Sequence, residues 1–143
     1  MCMSFYMATN NQLPVIPYNE KEPCFNSSYL NIPDKNLLPD FTLPYITEFG
    51  SDQGCGCGFR HALLENEHWY DVVNPENTQA EENNHQQLFD FITQNNQEQK
   101  TVEILPFWNE DFYSIKHRET INISDILKHD FYFKEQALYT VLL

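Results

Sequence analysis

Two cysteines one residue apart, Cys55 and Cys57, alternate with glycines in the run Gly54-Cys55-Gly56-Cys57-Gly58, and all four glycines of the chain fall between Gly50 and Gly58. Glycines clustered this tightly require a backbone reason: positive φ, close approach by another group, or both. If residues 54–58 are extended, the period of two places both thiols on one side and only hydrogen on the other. Three uses fit that arrangement. The first is a soft-metal centre for zinc, copper(I) or an iron–sulfur group. Cys55 and Cys57 supply two ligands, His61 a third, and Cys2 a fourth if the first strand lies alongside; zinc is the expected ion. The second is a thiol site of Cys55, Cys57 and Cys2, with Arg60 and His61 favouring a thiolate. The amides of Gly50, Gly54, Gly56 and Gly58 then form an anion nest or an oxyanion hole. The third is structural, with glycines letting backbones pack closely and small cysteines filling the space.

Removal of Met1 would make Cys2 an N-terminal nucleophile with its own amine as base; a small buried hydrophobe is the plainer reading. Cys24, between Pro23 and Phe25, reads as a packing residue. Cys-x-Cys is shorter than the usual structural-zinc spacing, and no Cys-x-x-Cys is present. A disulfide scaffold is not expected in a chain of this size and type. The glycines do not spell Gly-x-Gly-x-x-Gly, and no phosphate-loop lysine follows them.

The elements that must hold this loop can be read on either side of it. Residues 2–9 are mostly apolar and predict a buried or closing edge strand. From Gln12 to Pro44, six prolines break the pattern into a wrapped, extended segment anchored by Val15, Ile16, Tyr18, Phe25, Tyr29, Leu30, Leu37 and Leu38. Tyr45 to Phe49 alternates as a strand leading into the glycines. Phe59 to Tyr70 fits a strand or a short helix. Asn77 to Gln97 is the main predicted helix, with Asn77 or Thr78 as N-cap and an apolar stripe at Leu88, Phe89, Phe91 and Ile92. His85 falls on its polar side. Thr101 to Leu105 predicts a strand ended by Pro106, and Phe112 to Lys116 a further strand or an aromatic-anchored turn. Ser124 is expected to cap a short helix. Phe131, Phe133 and Leu138–Leu142 predict closing strands, with a hairpin near Glu135-Gln136.

These elements fit one domain over residues 1–143. The predicted class is α+β: a mixed or antiparallel sheet, one main helix and a Pro-rich wrapped N-terminal segment. At 143 residues the chain can bury roughly two-thirds of its surface, enough for an ordinary core. Its formal charge of −13 excludes non-specific nucleic-acid or anionic-membrane binding as an expectation. No apolar run approaches ~18 residues, and no basic leader opens the chain, so a cytoplasmic protein is expected. Between His61 and Gln99 lie eight acidic residues and no Lys or Arg. That span is either a solvated face or a surface for a basic protein partner, as in a small acidic immunity protein that neutralises a toxin. His68, His117 and His129 read as surface groups, and Trp69-Tyr70 and Phe107-Trp108 as core or rim anchors.

The N-terminal Met-Cys, the run Gly50-Ser-Asp-Gln-Gly-Cys-Gly-Cys-Gly-Phe59, Ile121-Asn-Ile-Ser-Asp-Ile-Leu127, Phe131-Tyr-Phe133 and Leu138-Tyr-Thr-Val141 resemble small uncharacterised bacterial proteins. The resemblance covers most of the chain and transfers no activity. Three functions therefore stand as expectations: a binding protein whose loop holds a metal or acts as a thiol site, an acidic interaction module with a structural loop, and a cysteine-dependent enzyme.

Overall fold

The computed structural model describes residues 2–29, 40–108 and 115–143. Ten elements are named here: β1 (Met3–Thr9), β2 (Asn26–Tyr29), β3 (Tyr45–Gly50), β4 (His61–Glu65), β5 (His68–Asp71), α1 (Thr78–Asn95), β6 (Thr101–Trp108), β7 (His117–Asn122), β8 (Phe133–Lys134) and β9 (Ala137–Leu142). Six strands form one sheet in the order β2-β3-β1-β6-β9-β7, and three form another in the order β5-β4-β8. Both sheets are mixed, since β7 runs parallel to β9 and β8 parallel to β4 while the other pairs are antiparallel. The class is α+β, as the alternation of elements predicts.

β1 is buried at six of its seven positions because both flanks and both faces are covered. Its odd positions, Met3, Phe5 and Met7, point into the main core with Phe49, Val102, Ile104, Tyr139 and Val141 from neighbouring strands. Helix α1 closes that core with Leu88, Phe91 and Ile92. Phe5 sits at its centre, with ring centroids 5.4, 5.1 and 5.1 Å from Phe49, Phe59 and Phe133. The opposite sheet face carries a smaller cluster of Leu105 and Leu138, packed against Tyr6, Ile46 and Phe107.

Several expectations are corrected in detail. The Pro106 strand does not end there; β6 continues to Trp108. Pro106 pairs with Phe5 while its carbonyl accepts from the Gln136 amide on the other side. A residue's N–H and C=O point the same way in a strand, so the missing donor faces away from the β1 ladder and costs it nothing. Residues 59–70 resolve into a hairpin, β4 and β5, turning at Asn66 and Glu67, both at positive φ (51° and 66°). The cap of the short helix is Asn122, not Ser124: Asn122 and Asp125 form a reciprocal capping box over Ile123–Leu127. Strands β8 and β9 do not form a hairpin, because they belong to different sheets. A turn does separate them at Glu135-Gln136, with Gln136 at φ 62°.

The wrapped segment is extended where described, joined to the sheet by the Ile16–Ser27 bridge and β2. Leu13 and Phe25 are its buried anchors, whereas Val15, Tyr18 and Tyr29 are exposed. Leu30, Leu37 and Leu38 lie outside the described residues, as does most of Phe112–Lys116. Among the described residues no helix is long and apolar enough to cross a membrane.

Candidate metal centre

The loop between β3 and β4 is built around Ser51, a fully buried hydroxyl. The Ser51 amide and Oγ both donate to the Cys55 carbonyl at 2.7 Å, and Oγ accepts from the Gly58 amide at 3.0 Å. Gly54, at φ 80°, donates to the Ser51 carbonyl and closes the turn. The expectation of an extended 54–58 segment is corrected at this point: Cys55 is extended, but Gly56–Gly58 forms one 3-10 turn, with the Phe59 amide bonded to the Gly56 carbonyl. The turn lies directly on β1. A Cβ on Gly56 would strike the Phe5 ring and come within 2.8 Å of the Met3 carbonyl. One on Gly58 would collide with Ser51, Asn84 and Asp52. The glycine cluster is therefore a close-approach device at two of its positions. At Gly50, the strand end simply faces the Cys55 backbone.

That close approach gathers the sulfurs. The Met3 amide donates to Cys57 Sγ at 3.3 Å, which lays the start of β1 against the loop and brings in Cys2. The Sγ atoms of Cys2, Cys55 and Cys57 all lie within 4.8 Å of one another, and all three residues are half-buried. The thiols thus converge through a turn in the backbone rather than through strand alternation. All four cysteines are free of disulfides, and Cys24 is exposed rather than packed. Burial pushes the Cys55 thiol up to about 12; the Cys2 and Cys57 thiols beside it add to the shift, and a backbone hydrogen bond at Cys57 opposes it. Held in its neutral form, the Cys55 thiol is a poor nucleophile. Three convergent soft donors are a donor set that a thiophilic cation fits, since coordination itself deprotonates the thiols.

Two other predicted site residues do not join the sulfurs. Among the described residues the potential metal-ligand group consists of the three cysteines alone. His61 is buried in β4, where its Nδ1 donates to the Phe59 carbonyl at 2.8 Å, and burial lowers its pKa. Arg60 is also buried, and its guanidinium donates to the carbonyls of Phe131 (3.0 Å) and Lys128 (2.8 Å). It stitches the loop exit to the segment before β8 instead of stabilising a thiolate.

The residues missed from the sequence are Ser51, Asp52, Asn84 and His85. Asn84 of α1 accepts from the Asp52 amide (3.2 Å) and donates to the Asp52 carboxylate (2.9 Å) and the Gly58 carbonyl (3.0 Å). His85, expected on the polar side, is buried. Its Nε2 accepts from the Arg60 amide at 2.9 Å, so Nδ1 carries the proton and donates to the Ile126 carbonyl at 2.7 Å. A signal was present: Glu81, Asn84, His85, Leu88 and Ile92 follow the i, i+3, i+4 spacing of one helix face. Polar side chains in its first half concealed that stripe.

Beside the sulfurs lies a cavity of about 280 Å³ with Cys2, Cys55, Ser4, Asn26, Ser28 and Glu48 in its walls. No protein-family model, curated protein or solved structure matches the chain.

Proposed function

We propose that this chain is a metal-binding protein and that Cys2, Cys55 and Cys57 hold one Zn²⁺. The observation that supports this reading is the convergence of the Cys2 sulfur with those of Cys55 and Cys57, more than fifty residues further along the chain, to within 4.8 Å. Packing alone gives no reason for three free thiols to meet at a half-buried point beside a polar cavity. Thiolates are soft ligands that suit zinc and copper(I). Zinc takes a fourth ligand, which the cavity has room to supply as water, whereas copper(I) needs none beyond the three sulfurs. The test is metal analysis of protein produced without an affinity tag, alongside a Cys55→Ser/Cys57→Ser double variant. One zinc per chain is expected in the wild type, and loss of stoichiometric zinc is expected in the variant with its circular dichroism unchanged. Wild-type protein that neither retains nor takes up zinc overturns the assignment, and copper(I) in its place overturns the choice of ion.

A second reading, an acidic interaction module, is favoured by the edge of the smaller sheet, where β5 pairs with no strand but β4 among the described residues. β5 is an outer strand, and Glu65, Glu67 and Asp71 are exposed around it beside Tyr70 and Val73. An extended basic segment would pair with such an edge and neutralise its charge. Not all of the acidic span contributes: Glu81 is buried, and that burial raises its pKa against the opposing pull of Arg60. A Lys/Arg-rich peptide titrated against wild type and Glu65→Lys/Asp71→Lys should lose most of its affinity in the variant and as salt rises towards about 0.15 M. Equal binding in both, at both salt levels, removes this reading.

A further inference from the structure

The three thiols differ in what holds them. Cys57 packs against the main core, and its Sγ accepts the Met3 amide. Cys55 hydrogen-bonds to both of the other thiols and so links them. The Ser51 amide and hydroxyl hold the Cys55 carbonyl, which fixes the start of the turn that follows. Cys2 comes immediately before Met3, the first residue of β1 with a ladder partner. Its own position therefore lies outside the strand ladders. Cys2 and Cys55 also share the wall of the cavity beside the sulfurs.

Three reduced sulfurs at this separation can also react with one another. A disulfide needs its sulfurs about 2.0 Å apart, and from within 4.8 Å that gap is one that side-chain rotation closes. Three pairs compete. A Cys55–Cys57 bond closes a very small ring and must twist the 3-10 turn held by the Gly56 carbonyl and Phe59 amide. A Cys2–Cys57 bond must draw Cys57 off the Met3 amide and the core. A Cys2–Cys55 bond disturbs neither. We propose that Cys2 and Cys55 are a site of reversible oxidation, where a hydroperoxide joins them in a disulfide that excludes zinc. One sulfur attacks a peroxide oxygen and becomes a sulfenic acid as the O–O bond breaks. The other displaces that hydroxyl and forms the S–S bond. The two thiols lose two electrons and two protons, and hydrogen peroxide leaves as two waters. With zinc bound, the two protons come from solvent, and the ion, left with Cys57 alone, departs. The release of zinc rests on the metal-binding reading above; the disulfide does not.

The test uses the full chain carrying Cys24→Ser, which removes an exposed thiol that would cross-link separate chains. Zinc-free protein is treated with one equivalent of hydrogen peroxide, alkylated and mapped by peptide mass. A Cys2–Cys55 bond within one chain is expected, with Cys57 alone alkylated. Wild-type protein mapped in parallel needs no substitution and should show the same bond. Adding Cys57→Ser should change the rate of disulfide formation by less than about twofold, whereas Cys2→Ser should slow it at least about tenfold. Zinc-loaded protein should release one Zn²⁺ per disulfide to a chromogenic chelator, and a thiol reductant should restore zinc uptake. A Cys55–Cys57 or Cys2–Cys57 bond, or three thiols still alkylated after peroxide, overturns the oxidation site while leaving zinc binding standing. Zinc retained by the disulfide-linked chain overturns the exclusion. A Cys2–Cys55 bond in a chain that never takes up zinc removes the metal reading and the exclusion, and supports the oxidation site by itself.

Discussion

Gly56 shows how little freedom the centre of the site has. Its missing Cβ leaves the gap through which the Phe5 ring and the Met3 carbonyl approach the turn that carries Cys57. Phe5 is fully buried amid three aromatic rings, so it has nowhere to retreat. Gly56→Ala should therefore lower stability by about 1–3 kcal/mol through overpacking. It should also weaken the proposed zinc binding, because the displaced turn no longer holds Cys57 beside Cys2. A urea midpoint and a chelator competition on the same samples measure both effects, and an unchanged midpoint would contradict the packing argument. Ser51 and Asn84 act on the three thiols at one remove, by fixing the backbone on which the sulfurs hang. Their side chains touch no sulfur hydrogen bond, yet they set where two of the three sulfurs stand.

Among the elements, α1 has a divided inner face. Leu88, Phe91 and Ile92 pack on the core, while Glu81, Asn84 and His85 in the preceding turns meet the loop and the β4 entry. The helix was legible from its length and apolar stripe, and Thr78–Asn95 lies within the expected Asn77–Gln97 span. The polar half was not legible, because a buried polar residue is written in the sequence with the same letters as an exposed one. The β4–β5 hairpin was hidden for a related reason: its two-residue turn, Asn66-Glu67, lacks the glycine that usually marks positive φ. Glu67 bears a left-handed conformation without a side chain suited to it. Glu67→Gly should raise stability by about 0.5–1 kcal/mol, readable as a higher thermal midpoint. A fall in that midpoint would mean that the Glu67 side chain contributes contacts outweighing its backbone cost.

Across the whole molecule, His85 joins α1, the start of β4 and the Ile123–Leu127 turn, so its protonation bears on global stability. Burial lowers its pKa to about 4, with Arg60 adding to the shift and the Ile126 carbonyl opposing it. The unfolded chain titrates near 6.5 and so binds more protons than the native state between about 6.5 and 4. The stability from neutral His85 is thus complete above about 6.5 and is lost as the pH falls towards 4, amounting to about 3 kcal/mol. His61, lowered in the same direction by its burial, adds to the loss. His85→Gln keeps a donor and an acceptor near these partners but cannot titrate. Its stability should fall less steeply across that window, by about one proton in the slope measured from urea midpoints. Parallel slopes in the two proteins would show that His85 is not the group being titrated.

Composition, the single long amphipathic segment and the alternating strands determined the α+β class, because burial of periodic apolar residues is a local property of the chain. The glycine–cysteine run likewise marked where the chain packs closely enough on β1 to bring three thiols together. Only the tertiary structure decided which groups meet there. Cys2 joins Cys55 and Cys57 because β1 lies under Gly56, while His61 and Arg60, nearer in sequence, turn to backbone carbonyls. Neighbours along a chain share a backbone direction but not a destination; the sheet order and the helix that pins Asn84 to the loop choose the destination.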